Sequence, residues 1–403
     1  MPAQPNPDIS PLAFIALSLA AFGSGISQRV ADPLLPRFAL EFGVSLGAAS
    51  WIVTIFTLAY GLNQLCFGPL GDRFGKYRVI AWACVACSVA TLLCALAPGF
   101  QMLLAARLVA GAMLAAIIPL SMAWIGDVVP YEERQSVLAR FLIGQILGVS
   151  VGQLLGGLAA DYLGWRVPFF LLAVGFVAVS VMLFAMQRRL PVRAVSVASA
   201  EGHALQRMFR EFALVLRQPW ARVVTITVFL EGAFLFGAFA FIATHLYLIH
   251  GLSLSAAGTV VMLFGFGGFL FAATSRRFVQ RFGETGLALW GGVSMFISLL
   301  AIALMPTWWW SPPACFMAGL GFYMLHNTLQ TNATQMAPER RGAAVAAFAF
   351  CFFTGQSAGL ALAGAASERI GTRGIIVVGA VGVLFVALGF ARLKWWQRVG
   401  EAL

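Results

Sequence analysis

A chain of 403 residues that is 61% hydrophobic and only 10% charged is too apolar for a soluble globule, whose composition lies nearer half apolar and a quarter charged. A formal net charge of +11 would suit a nucleic-acid ligand only if the bases clustered on one face of a soluble module, and no such cluster is present in the sequence. Apolar runs of roughly 20 residues, each able as helix to cross a hydrocarbon core of about 30 Å, recur along almost the whole length. Twelve fit, which predicts an all-α membrane protein.

The first predicted span, 12–35, carries Gly23, Gly25, Ser27, Gln28, Arg29 and Asp32 in its second half, too polar a set to face lipid. The second, 49–67, presents Thr54, Thr57, Tyr60, Asn63 and Gln64. Gly68-Pro69-Leu70-Gly71-Asp72-Arg73-Phe74-Gly75-Lys76-Tyr77-Arg78 follows, and its glycines, proline and charges predict a tight turn at a membrane boundary. The third span, 79–96, holds Cys84 and Cys87, whose spacing would suit a metal pair; no second pair or histidine accompanies them, so packing is expected and no metal. The fourth, 102–125, contains Arg107 and Gly111 and is followed by Asp127. The fifth, 137–160, has Gly144, Gly148, Gly152 and Gly156 at four-residue intervals, a stripe that lets helix backbones approach closely.

The sixth span, 167–186, ends at Arg188-Arg189, and composition then changes to a charged, Ala/Ser-rich and finally amphipathic stretch. This divides the chain into a six-helix bundle over 1–187, a linker over 188–222 and a second bundle over 223–403. Spans 7 to 12 are predicted near 223–246, 256–275, 285–305, 309–335, 343–367 and 375–390. The second half repeats the first at an offset near 207: Gly148, Gly152, Gly157 and Asp161 return as Gly355, Gly359, Gly364 and Glu368. The turn returns in reduced form as Gln280-Arg281-Phe282-Gly283, its acid lost.

Gly-x-Leu-Gly-Asp-Arg-x-Gly-Lys, over Gly68 to Lys76, resembles the signature between the second and third helices of the major facilitator superfamily, with Tyr77 where a base is common. Arg107 and Gly111 resemble that family's Arg-x-x-x-Gly element. The glycine stripe resembles its antiporter element, with Gln153 in place of the proline. The resemblance spans nearly the whole chain and is greatest to the twelve-helix drug/proton antiporter group. It implies two six-helix bundles around a central cavity, and a conformational latch made of Gly68, Asp72, Arg73, Gly75, Lys76 and Asp127, with Asp72 engaging the start of the eleventh helix.

Ionisable groups inside a membrane are costly, so each is a functional candidate. Glu231 sits near the middle of span 7 in Phe-Leu-Glu-Gly-Ala-Phe, where low dielectric favours the neutral acid; the alternative is a structural pair with a neighbouring helix. Asp32 between Arg29 and Arg107, and His326 in the polar run His326, Asn327, Gln330, Thr331, Asn332, are the other proton candidates, with structural ion pairing and simple hydrogen bonding as their alternatives. Tyr60, Asn63, Gln145, Gln356, Asn327, Gln330, Arg29, Arg107 and the aromatic Phe234 are candidates for lining the cavity.

With both termini placed in the cytoplasm, only Arg37, Arg166, Arg369 and Arg373 of the 26 Lys and Arg fall outside and Arg29 and Arg107 within spans, as the positive-inside rule requires. No base precedes the first apolar run, so no cleavable signal is expected. No Walker loop and no nucleophile triad is present in the sequence, so neither ATP-driven pumping nor an enzyme activity is expected, and no cofactor. What the resemblance implies is a secondary transporter of the bacterial inner membrane, monomeric, with a small partly apolar substrate, protons and the lipid bilayer as partners and no nucleic acid. Proton-driven export is the first expectation; proton-coupled uptake, or a receptor or scaffold that does not transport, are the alternatives.

Overall fold

Within hydrocarbon every backbone N–H and C=O must find a partner inside its own segment, and helix is how this sequence meets that demand. A computed structural model describes residues 11–187 and 204–402, with the side chains of residues 131, 132, 135, 204–209 and 398–402 left undescribed. Among the described residues the regular structure is helix alone: α1 (Pro11–Arg29), α2 (Leu35–Phe42), α3 (Leu46–Phe74), α4 (Lys76–Ala95), α5 (Phe100–Leu114), α6 (Ile117–Val128), α7 (Tyr131–Leu158), α8 (Arg166–Gln187), α9 (Ala204–Leu216), α10 (Pro219–Glu231), α11 (Gly237–Phe239), α12 (Ile242–His250), α13 (Leu254–Leu304), α14 (Ser311–Gln335) and α15 (Arg341–Ala402). Arg188, Arg189 and the rest of 188–203 lie outside the described residues; the remainder of the predicted linker forms α9 and the start of α10.

Among the described residues nine stretches are long and apolar enough to cross a membrane, fewer than the twelve spans predicted from hydropathy. Part of the difference is that α13, with 51 residues, and α15, with 62, each contain one non-helical residue, Gly283 (φ 61°) and Gly371 (φ 63°). A single glycine in the left-handed region reverses or bends a chain at little cost, where an L side chain would be strained. The helix α14 is not among the nine, because its second half is polar.

The turn expected from Gly68 onward is corrected. The helix α3 continues through Pro69 to Phe74, and the chain breaks only at Gly75, with φ 89°. Pro69 leaves the Leu65 carbonyl without its i−4 donor, yet the helix runs on past it, with Gly68, Pro69 and Leu70 exposed. Two π turns also interrupt the helices, at Ala159–Leu163 and at Gly232–Phe236.

Glycines set which helices touch. A Cβ on Gly148 or Gly156 would overlap the backbone of Phe22 on α1 or of Val30 just past its end, so the predicted stripe on α7 is the seam between these helices. Its counterparts Gly355 and Gly359 meet Phe229 and Ala233 in the same manner. One apolar core runs from Ala13 to Met186 with a few later residues, and a second from Val215 to Phe390. The two parts approach through α3 against α15, where Gly47 and Ser50 meet Gly364 and Ser357 donates to the Thr54 carbonyl at 3.2 Å. They also approach through α7 against α13, where Gly157 meets Leu254 and Gln153 meets Gly258. Asp161, in the first π turn, accepts from the Ser255 amide at 2.7 Å and faces Arg37 at 3.6 Å. Nearby, Arg166 donates to Glu41 at 3.0 Å and holds that carboxyl below the usual carboxylate range. All these contacts lie toward one end of the bundle, beyond Tyr60 and Ile146. At the other end Asn63, Gln64 and Asn327 are half-buried and Gln330 and Thr331 exposed, which we read as the walls of a cleft between the parts.

Candidate functional site

At the closed end of that cleft lies a cavity of about 10 Å3, room for about one water, lined by Gln28, Arg29, Phe56, Thr57, Tyr60, Phe353 and Gln356. Three of the candidates for lining the cavity, Arg29, Tyr60 and Gln356, meet around it. Arg29, 5% exposed, donates from Nη2 to Gln356 Oε1 across the two parts at 2.9 Å and stacks on the Phe236 ring at 4.2 Å. Its Nη1 lies 3.7 Å from Asp32, whose other contact is a 3.0 Å hydrogen bond from Gln153 Nε2. Asp32 Oδ1, Gln153 Oε1 and Gln356 Nε2 are buried with no hydrogen-bond partner, so the cluster holds its charges in incomplete solvation. Tyr60 packs on Phe353 with centroids 4.5 Å apart. Arg107 does not reach the cavity: it is fully buried, donates to the carbonyls of Ile52 at 3.2 Å and Ser27 at 3.1 Å, and lies 3.8 Å above Phe56. Its role in this structure is to bind three helices together.

Glu231 and His326, separate candidates in the sequence, form one unit. Glu231 ends α10 with no exposed surface, and its Oε2 lies 2.8 Å from His326 Nδ1 on α14, while Oε1 has no hydrogen-bond partner. The imidazole packs against Phe352, Phe322 and Phe348 at centroid distances of 4.4, 4.9 and 5.3 Å. It keeps 16% side-chain exposure, so it connects a sealed acid with the less buried side of α14. At this distance one hydrogen bond joins carboxyl and imidazole, and which atom donates depends on the imidazole tautomer. The π turn that follows Glu231 places Gly232 against the Phe352 carbonyl, which brings α10 close to α15 and seats the acid among the aromatic rings.

The other candidates are scattered. Asn63 bonds its own helix at Ala59, Gln145 is half-buried on α7, and Asn327 and Gln330 lie toward the open end. Phe234 is turned away from the cleft: it packs over Gly379 and Gly382 and lines an apolar groove between α10, α11 and α15.

The signature residues gather at the open end. Lys76 lies 2.6 Å from Asp127 and 3.5 Å from Asp72, bridging α3, α4 and α6, while Arg73 lies over Phe74 at 5.1 Å and Gly75 supplies the positive φ. The Asp72 side chain is 72% exposed, so an ion pair there contributes about 0.2–1 kcal/mol. Asp72→Asn is expected to change the balance between conformations by a factor of about 1.4 to 5 while leaving ligand affinity intact. Single-molecule distance measurements across the cleft check this; unchanged populations together with unchanged turnover would count against a latch.

One group was missed in the sequence. Lys394 donates to Asn332 at 2.6 Å and pairs with Glu284 at 3.1 Å, Asn332 bonds Glu284 at 3.2 Å, and Trp220 donates to Asn332 at 3.3 Å. The repeat holds the signal: Gly283 matches Gly75, so Glu284 stands where Lys76 stands in the first half. The charge is reversed, and its partner comes from α15.

Comparison with known proteins places these features among transporters. A sequence profile described as Major Facilitator Superfamily matches residues 17–360. The chain is 24% identical to an uncharacterized MFS-type transporter, YceJ, of Bacillus subtilis (strain 168), over 85% of this chain and 86% of that one. It is 29% identical to the multidrug export protein EmrB of Escherichia coli (strain K12) over 43% of this chain and 33% of EmrB. In structure it is similar to a mutant of the nucleoside transporter NupG, with TM-score 0.78, 13% identity and coverage of 94% and 98% of the two chains. A bacterial homologue of the human lysosomal transporter Spinster superposes with TM-score 0.75 at 19% identity, covering 97% of each chain.

Proposed function

Because this chain belongs to the Major Facilitator Superfamily and is a multi-pass membrane protein of a transporter family, we propose that it exports a small, partly apolar compound across the bacterial inner membrane in exchange for protons. The observation that carries this reading is the buried Glu231–His326 pair. An acid wholly inside the bundle, 2.8 Å from an imidazole that packs among Phe322, Phe348 and Phe352, can exist there neutral or paired, and a proton is the smallest change that converts one state to the other. Phe56, Tyr60 and Phe353 beside the polar Gln28, Arg29, Thr57 and Gln356 suit a compound with both apolar rings and polar groups, and the partial similarity to EmrB favours export.

In this reading the bundles over 1–187 and 223–403 rock about the contacts of α3 with α15 and α7 with α13, joined by the linker over 188–222. Twelve crossings follow if α13 and α15 are each two spans and α14 another, with both termini in the cytoplasm. The structure then represents the inward-open state. Deprotonation of Glu231 toward the cytoplasm would accompany substrate capture, and protonation from the other side its release.

The test is transport into proteoliposomes by a panel of radiolabelled or fluorescent compounds under imposed pH gradients. An exporter of this kind accumulates its substrate in vesicles with an acidic interior. Accumulation only when the outside is acidic would convert the reading to uptake, and no gradient-dependent flux of any compound would overturn it.

A further inference from the structure

A cavity of about 290 Å3 lies away from the cleft, between α10, the π turn Gly232–Phe236, α11 and both legs of α15. Every residue lining it is Gly, Ala, Val, Leu, Ile or Phe. Its floor is made of small residues such as Ala233 and Gly359, and its rim of Leu362 (71% exposed), Ile370 (47%) and Val378 (53%). A water needs two to four polar partners, and this groove offers none from a side chain. In a bilayer its rim faces hydrocarbon, and an apolar trough open to lipid tails fills with one.

We propose that this groove binds the acyl chain of an anionic phospholipid, with its headgroup at Arg369 and Arg373. Ile370 and Ile375 bracket the bend at Gly371 that carries both arginines, which are exposed, beside the single exposed acid Glu368. The site therefore has a basic mouth where the helices leave the hydrocarbon. From Ile370 to Ala358 the α15 wall extends about 18 Å at about 1.5 Å per residue, close to the roughly 15 Å depth of one leaflet's hydrocarbon. The inner end is formed by Phe229 and Leu230, adjacent to Glu231, so the tail ends one residue from the buried acid. Occupancy does not depend on the direction of transport or on proton coupling.

The experiment uses the purified full chain in mild detergent with equal amounts of phosphatidylglycerol and phosphatidylcholine carrying brominated acyl chains, read by native mass spectrometry and by cryo-electron microscopy. The wild type is expected to retain phosphatidylglycerol over phosphatidylcholine by at least about five-fold, as one or two basic groups near a surface would give, with bromine density between α10 and α15. Ala366→Trp, which fills the groove, is expected to lose both the lipid and the density. Arg369→Gln with Arg373→Gln is expected to keep the density and bring the headgroup preference close to unity; being exposed, these positions decide the matter even if the tryptophan variant does not fold. Bromine density absent from the groove of the wild type, a folded Ala366→Trp that retains its lipid, an unchanged preference in the double variant, or a doubled mass with the groove covered by a second copy would each overturn the proposal.

Discussion

Glu231→Gln should abolish accumulation driven by a pH gradient, a loss of about 100-fold or more, while exchange of substrate across the same vesicle membrane persists. The amide has the shape of the protonated acid and can still hydrogen-bond His326 Nδ1, so the aromatic pocket stays filled and no charge is left unpaired. A purely structural acid would respond differently. Removing one member of a buried ion pair destabilises by about 3–5 kcal/mol, which would appear as a lower melting temperature and poor yield, affecting every transport mode alike. Measuring gradient-driven flux and exchange in one preparation, with thermal stability alongside, separates the two. Full gradient-driven activity in Glu231→Gln would shift the coupling role to Asp32, which is also buried and also has an unpaired oxygen.

Gly364→Leu is expected to hold the carrier open at the end that is closed in this structure. A Cβ on Gly364 would overlap Ser50 Oγ and press on the Gly47 carbonyl, and both belong to the opposite part of the molecule. Strain within one bundle must be absorbed by a packed core at about 1–3 kcal/mol, whereas strain between two bundles that separate in the normal cycle is relieved by separation. Thr54, 1% exposed, serves as reporter. A cysteine there should react with a membrane-impermeant thiol reagent at least about ten-fold faster in the Gly364→Leu background, and transport should be lost. Gly148→Leu is the control: its overlap with Phe22 lies inside the first bundle, so it should lower the melting temperature without exposing Thr54. Equal labelling of the reporter with and without Gly364→Leu would show that this contact does not govern opening.

Much of this arrangement was legible in the sequence because apolar length and helix-breaking glycines are local properties. The stripe from Gly144 to Gly156 announced close helix contact, and the repeat offset correctly paired Gly148 with Gly355 as equivalent seams. Glu231 and His326 were each identifiable as expensive intramembrane groups, but their partnership was not: they stand 95 residues apart, and the relative rotation of α10 and α14 is fixed by packing over their whole length. Phe234 shows a second limit. It lies within the π turn, which adds a residue to one turn of helix and so turns the side chains there by up to about 100° from the direction a regular helix would give them. The misplaced turn at Gly68 shows that Gly and Pro weaken a helix without fixing where it ends; α3 ends at Gly75, whose positive φ breaks the chain. Lys394 was passed over because the repeat was searched for matching residues, and the equivalent position carries the opposite sign.

That reversed sign makes the molecule respond unevenly to ionic strength. The Lys76 cluster includes an Asp72 side chain that is 72% exposed and an Asp127 that is 48% exposed, so dissolved ions reach it, and with a Debye length of about 8 Å at 0.15 M and about 3 Å at 1 M its attraction weakens steeply as salt is added. The Glu284–Lys394 pair is enclosed by Trp220 and Asn332, with Lys394 only 10% exposed, and is screened far less. Added salt thus loosens one bundle's clasp more than the other's.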